Sequence, residues 1–176
     1  MVVVRWLEPD VAEDLALASA VTDVVNRAYA QAEVGLFATK IDRTDIDDAR
    51  TSISRRETAV ALLEGAVVGS VRARALDGRT GWFGVLGVDP AVRGRGFGEA
   101  LVRFVEDDAA AAGRSVMQLE VLESQPIHPH LSRVREWYER RGYRETSRLP
   151  LAALYPEDAA RLLVAVMDVV TMRKPL

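Results

Sequence analysis

Apolar residues along the chain change their period several times, and each change marks an element. Val2 to Leu7 is a short β-branched run closed by Glu8-Pro9-Asp10, the pattern of a strand followed by a turn and a helix start. From Val11 to Gln31 the apolar positions Leu15, Leu17, Val21, Val24, Val25 and Ala28 recur at helical spacing, which predicts an amphipathic helix. The stretch AEVGLFATKID breaks that period. A second helix is predicted within RTDIDDARTSISRRE, with Thr44 or Asp45 as its N-cap and Ile46, Ala49 and Ile53 on one side.

The middle of the chain reads as an antiparallel meander. TAVALLEGAVVGSVRARAL and GRTGWFGVLGV are apolar runs separated by Glu64-Gly65 and Asp77-Gly78, both hairpin-type turn signals. Glu99 to Ala112 is again helical, with Leu101, Phe104, Val105 and Ala109 on one side and Gly113 where a helix-ending glycine belongs. SVMQLEVLE follows as a strand. A strand, a loop, a helix and a strand in that order imply a right-handed crossover and one parallel pair. Ser132 to Arg141 predicts a short amphipathic helix ended by Gly142, and Tyr143 opens another extended piece. PLAALYPEDAARL reads as a loop with a helical turn from Pro156, and LLVAVMDVVTMRKPL closes in a β-rich run. No repeat, linker or low-complexity tract interrupts the series, so residues 1–176 are expected to form a single α/β domain of mixed (α+β) type. The element order is β-α-α-β-β-β-α-β-α-β, with room for one more strand.

Composition narrows the function classes. At 176 residues the chain can bury a full core without disulfides or metals. Lys and Arg number 23 against 26 Asp and Glu, a formal charge of -3, which argues against general nucleic-acid or membrane-surface binding. Any anion must therefore be recruited locally. The absence of cysteine removes disulfide frameworks, thiolate zinc sites and a Cys nucleophile together, and is compatible with a reducing cytosol. MVVVRWLEPD holds too few apolar residues for a signal peptide or a membrane span. A soluble, cytoplasmic protein is expected.

One segment stands out chemically. VDPAVRGRGFGEALVRFVED sets Gly94, Gly96 and Gly98, with Arg93 and Arg95, just ahead of an apolar-periodic stretch. Alternate glycines let backbone amides approach a ligand, and the helix that follows adds the positive end of its dipole, a combination that holds phosphate. Taken alone, the same residues also fit a tight strand-to-helix turn with surface arginines. No Lys-Ser/Thr follows the glycines, as a nucleoside-triphosphate loop requires. The spacing is not G-x-G-x-x-G, and the loop follows a meander instead of a first βα turn.

The segment resembles the pyrophosphate loop of the GNAT superfamily of acyl-CoA-dependent N-acyltransferases. Arg93-Gly94-Arg95-Gly96-Phe97-Gly98 matches Arg/Gln-x-x-Gly-x-Gly/Ala, with the lead-in Val88-Asp89-Pro90-Ala91-Val92-Arg93. REWYERRGYRE, Arg135 to Glu145, resembles the family's Tyr-Glu-x-x-Gly-Phe/Tyr segment, and DVVTMRKPL its closing strand. The resemblance implies a central mixed, mostly antiparallel sheet of six to seven strands flanked by about four helices. It also implies acetyl-CoA as co-substrate, with no metal.

Carried over residue by residue, the resemblance gives the amides of Arg95, Gly96 and Gly98, with those of Gly94 and Glu99, to the CoA pyrophosphate, and counts Phe97 among the cofactor-binding residues. The side chains of Arg93 and Arg95 can add charge or point to solvent. Leu86, Gly87 and Val88 would bond the pantetheine arm through their main chain, as an added strand does, in a slot made by splaying that strand from SVMQLEVLE. Tyr138 matches the tyrosine that protonates the departing thiolate; a phenol of pKa ~10 is protonated at neutral pH, as a general acid must be. A buried helix aromatic beside Trp137 is the plain alternative.

The base is where the chain departs from the family pattern. Many relatives carry a Glu on the strand before the loop, whereas GWFGVLGV offers only Trp82, Phe83 and Val85. Glu120 and Glu123 are the remaining candidates, acting through water, with capping or surface roles equally open. His128 and His130 read as polar loop residues, and no zinc site is expected. Tyr29, Glu33, Phe37 and Asp42, together with Trp82, fall where an acceptor would approach. The implied partner is an amine on a small molecule or peptide, with no nucleic acid or membrane, and a homodimer is left open. Two other classes fit parts of the pattern. One is a catalytically inactive acyl-CoA sensor, suggested by the missing strand carboxylate. The other is a phosphate-binding domain of a different mixed fold, which the Tyr138 segment argues against.

Overall fold

The computed structural model describes residues 2–176. In chain order the elements are β1 (Val3–Trp6), α1 (Leu15–Ala32), α2 (Ile46–Ser54), β2 (Thr58–Leu63), β3 (Ala66–Ala75), β4 (Thr80–Val88), α3 (Phe97–Ala111), β5 (Val116–Gln125), α4 (Pro129–Arg140), β6 (Arg144–Pro150), α5 (Leu151–Leu154), α6 (Pro156–Ala159) and β7 (Val166–Pro175). The strands form one sheet in the order β1-β2-β3-β4-β5-β7-β6. Neighbours are antiparallel except β4 and β5, which the α3 crossover makes parallel. The expected mixed, mostly antiparallel sheet is therefore present at seven strands, and the pieces read from Tyr143 and from the C-terminal run are both strands of it.

Local chemistry explains where elements begin. Glu64 and Gly65 both take positive φ, 52° and 84°, the two-residue turn that matches the twist of the β2–β3 hairpin. α1 starts at Leu15 and not at Val11, because the Asp14 side chain caps the Leu17 amide at 3.0 Å while Pro9–Val11 close a separate 3₁₀ turn. Asp45, not Thr44, caps α2, through the Asp48 amide at 2.8 Å. α3 begins at Phe97, two residues before the expected Glu99, since Gly96 caps it in a left-handed conformation. α4 begins at Pro129 instead of Ser132, using the fixed φ of a proline in its first turn. The segment read as a loop with one turn forms two single-turn helices, α5 and α6, so the helices exceed the expected four.

Both faces of the sheet are covered. α3 and α4 pack Leu101, Val105 and Tyr138 against Phe83, Met117, Leu119 and Met172. On the other face α1 and α2 set Ala18, Val21, Ala49 and Ile53 against Val60 and Leu7. A third cluster at one end joins the α1–α2 connection to the segment before β7 through Leu36, Phe37, Leu151, Leu162 and Met167. One deep polar group is fully engaged: the Tyr143 hydroxyl, on a fully buried residue, donates to Glu106 at 2.6 Å, and Lys174 holds the other oxygen of that carboxylate at 2.8 Å.

α1 lies so close to β4 that a side chain at Gly87 would have its Cβ 2.9 Å from the Cα of Val25. That contact is backbone and cannot rotate away. Gly87→Ala should therefore destabilise the protein by about 1–3 kcal/mol, the usual cost of overpacking. Gly78→Ala, with nothing within 4 Å of the added atom, should stay within about 0.5 kcal/mol of wild type. Urea unfolding of the two variants side by side checks the contrast.

Candidate functional site

The site begins with a fault in the sheet. Ser70 pairs with Gly87 but Arg72 pairs with Gly84, so β4 carries one residue more than β3 across that step. The extra residue is accommodated with Val85 at φ 50°. A β-branched residue rarely adopts this conformation, and its strain is held by the surrounding packing. A bulge of this kind bends the strand that carries it. The parallel pairing of β4 with β5 accordingly ends at Trp82 and Gln118, and Phe83 to Val88 have no partner on that side. The result is a slot floored by the backbone of Leu86, Gly87 and Val88.

The glycine loop closes the head of this slot. Gly94 and Gly96 hold φ of 78° and 84° with open space where their Cβ atoms would lie. The amides of Gly94, Arg95, Gly96, Phe97, Gly98 and Glu99 donate to no acceptor among the described residues; the first that does is Ala100, to the Gly96 carbonyl at 2.9 Å. An unbroken run of free donors at the N-terminus of a long helix suits a multiply charged anion. The arginine side chains contribute less. Arg93 reaches the Ala28 carbonyl at 3.5 Å, and Arg95 lies over the Phe97 ring at 5.7 Å. The Glu99 carboxylate pairs with Arg141, which stacks on Trp137 at 3.5 Å.

Tyr138 lies at the fork of β4 and β5. Its ring is 7% exposed and packs on Phe83, the first β4 residue past the parallel pairing, with centroids 5.9 Å apart, and on Trp137 and Tyr143. The hydroxyl makes no hydrogen bond to the described residues, yet it is not sealed from solvent. Burial pushes this phenol far above its ordinary range, with Tyr29 and Glu106 adding to the effect and Arg141 opposing it. It is a neutral O–H donor at any physiological pH, deep in the fork and without an acceptor.

The two candidate bases occupy different settings. Met117, Leu119 and Val121 point into the α3–α4 core, so Glu120 emerges on the opposite face. It is exposed, makes no ion pair among the described residues, and its carboxyl is pushed up by the protein around it against the pull of Arg74. Glu123 is engaged: one of its oxygens accepts from Arg135 at 2.6 Å and from Arg148 at 2.7 Å, in a network that also holds Glu139, Glu145 and Asp168. His128 donates through Nε2 to the Val34 carbonyl at 3.2 Å, and its Nδ1 is buried without a partner. Burial, then Arg93, Arg133 and His128, hold His130 below the ordinary imidazole value.

Tyr29, Glu33 and Phe37 come together around a residue the sequence did not single out. Arg43 pairs with Glu33, lies 3.9 Å from Asp158, and covers the rings of Tyr29 and Phe37 at 5.5 Å each. Burial raises the Glu33 carboxyl in spite of Arg43, and pushes the enclosed Tyr29 hydroxyl up to about 12, Arg43 opposing and Glu33 adding. Partial burial raises the Tyr155 hydroxyl, with Glu120 and Asp158 adding to the effect and Arg43 opposing it. Arg43, Tyr155 and Asp158 carry no sequence signal, because only the tertiary fold brings them beside α1. Asp42 instead pairs with Lys40 at 2.6 Å and lines a surface concavity of 410 Å³ with Thr22, Asn26 and Asp45. Trp82 lies over Gly84 and under Arg74 and lines a concavity of 250 Å³ at the opposite end of β4, whereas Phe83 is core.

A family model for the acetyltransferase (GNAT) domain matches residues 54–145, which include the bulge, the glycine loop and Tyr138. The chain belongs to the GNAT acetyltransferase family. Solved structures show the same fold at low identity. The polyamine N-acetyltransferase of Drosophila melanogaster is 16% identical, with the whole of both chains covered and a TM-score of 0.70. An aminoglycoside 6'-N-acetyltransferase solved with coenzyme A is 16% identical over 98% of this chain and 96% of its own, at 0.72. YncA of Salmonella typhimurium, solved with acetyl-CoA, is 19% identical over 100% and 94%, at 0.67.

All four tyrosines of this GNAT protein are held above the ordinary phenol value. Below pH ~10 the phenols are protonated folded or unfolded. Above it the unfolded chain loses protons first, so stability should fall as pH rises from about 10 toward about 12, where Tyr29 ionises in the folded state. Tyr29, Tyr138 and Tyr143 should contribute little tyrosinate absorbance to the native protein at pH ~10.5, and their share should appear on adding urea. Full absorbance before unfolding would show that these hydroxyls are not enclosed.

Proposed function

We propose that the protein transfers the acetyl group of acetyl-CoA to an amine of a small molecule or peptide, the whole chain acting as one catalytic domain. The observation that carries this reading is the run of unpartnered amides from Gly94 to Glu99 at the head of the slot. Those donors match the oxygens of a pyrophosphate, and the free edge of β4 from Leu86 to Val88 offers main-chain groups to a pantetheine amide in the manner of an added strand. A chain without cysteine fits work in the cytoplasm.

Bound acetyl-CoA supplies an activated acyl group: the acceptor nitrogen forms the new amide bond, the C–S bond breaks, and CoA leaves as the thiol. Tyr138 is the general acid. Its raised pKa keeps the proton available until the sulfur needs it. Glu120, unpaired and with a raised carboxyl, takes a proton from the acceptor ammonium through a water, in place of the strand carboxylate that β4 lacks. The second proton of the nitrogen restores the phenol. Glu123 is assigned no step, since two guanidiniums already hold it.

CoA at one hundred times its Kd should stabilise the protein by about 2.7 kcal/mol, seen as a rise in Tm. Gly96→Asp places a carboxylate beside the free amides and should abolish that rise, whereas Gly96→Asn, which tolerates the same left-handed backbone without charge, should keep part of it. A full shift in the Asp variant would remove the loop from the binding site. Tyr138→Phe should lower kcat about 10²-fold or more while leaving the CoA-induced Tm rise intact. Unchanged turnover would take Tyr138 out of the mechanism and leave a CoA-binding protein with other chemistry.

A further inference from the structure

The arrangement around Arg43 restricts which amines can be acceptors. The α1–α2 connection and the segment before β7 are tied edge to edge: Phe37 bridges to Leu162, the Ala38 amide donates to the Arg161 carbonyl at 2.7 Å, and Leu163 returns a bond to Leu36 at 2.9 Å. This joint sets Glu33, at the C-terminal end of α1, and Asp158, on α6, against one guanidinium. Glu120 faces the same side from β5, since its neighbours Leu119 and Val121 point into the opposite core, and the Tyr155 hydroxyl is within electrostatic reach of Glu120, Arg43 and Asp158. Tyr29, under the Arg43 guanidinium, follows Ala28, which lies against Gly87 in the slot. Three carboxylates thus border the space beside the fork, while the cation that belongs to it is already matched by two of them.

We propose that the acceptor is a primary amine without an α-carboxylate, and that Glu33, Asp158 and Glu120 exclude free amino acids from the site. This rests on the acetyltransferase reading above. An incoming carboxylate would meet the unpaired Glu120 and compete with Glu33 and Asp158 for Arg43. An amine whose remainder is neutral or cationic meets none of these penalties: its ammonium approaches a negative border, and the exposed Tyr155 ring, at 47%, offers an aromatic face to the rest of the molecule. The Nε of Arg43 is the one feature pointing the other way, a buried donor without an acceptor. It sits on a guanidinium whose Nη2 is held by Glu33 and whose Nη1 faces Asp158 at 3.9 Å, so a carboxylate reaching it would come to rest beside two like charges.

Matched pairs that differ by one carboxylate test this: tyramine against tyrosine, cadaverine against lysine, agmatine against arginine. With acetyl-CoA saturating, each amine should have a kcat/KM at least about tenfold above its amino acid. The ratio should shrink in Asp158→Asn and in Glu33→Gln, mainly through KM, and the amine's KM should rise with salt. Amino acids used as well as amines, or ratios unmoved by both substitutions and by salt, would overturn the proposal. So would a protein that binds CoA but whose melting point, with CoA present, no amine of the three pairs raises. Absence of any CoA-induced shift is a different failure, because it removes the acetyltransferase reading itself. If Glu33→Gln fails to fold, the wild-type ratios and their salt dependence still decide.

Discussion

Everything in the site depends on β4 failing to follow β5. Two parallel strands that begin in register at Thr80 and Val116 would normally pair to their ends. One surplus residue, with Val85 in a conformation that valine resists, turns β4 aside and frees its edge from Phe83 to Val88. The strain is local and modest, of order 1–3 kcal/mol. Strong packing on both sides keeps it: Gly87 is pressed against α1, and Leu86 and Val88 against the core under α3. The slot is thus a consequence of sheet geometry, and the ligand-facing groups are backbone atoms whose positions no single side chain determines.

This explains how a chain with a formal charge of -3 can present a site for a polyanion. The positive character comes from oriented peptide dipoles and not from clustered cations, since Arg95 and Arg141 lie on aromatic rings and Arg93 reaches a carbonyl. Net charge governs solubility and long-range steering, while six adjacent unpartnered amides give the loop its local positive character. The opposite face of the slot has the reverse character, with carboxylates at its border. A donor with phosphates and an acceptor with an ammonium would be drawn to different ends of one cleft.

Much of this was legible in the sequence, and the parts that were not share a cause. The helix of α1, the hairpins, the glycine loop and Tyr138 all have signals within a few residues: a period, a turn pair, a spacing. Element starts were displaced where a neighbouring side chain or glycine decided the cap, as at Asp14 and Gly96. The bulge at Val85 has no local signature, because it exists only relative to the partner strand β3. Arg43 and Asp158 were invisible for the same reason on a larger scale. They meet through the joint between Leu36 and Leu163, residues that only the folded sheet brings together. Glu120 and Glu123 looked alike in sequence, and their neighbours, one lone arginine at a distance against two in contact, separate them.

The place of β7 has a consequence for how the molecule is made. It is synthesised after β6 yet lies between β5 and β6, bonded to both along most of its length. Until it emerges, β5 has an open edge and β6 has nothing to pair with, while Tyr143 and Glu106 wait for Lys174. β1 to β5 can pair in the order in which they are made, but the sheet is complete only when β7 inserts between β5 and β6. An unpaired β5 edge is an invitation to pair with another chain.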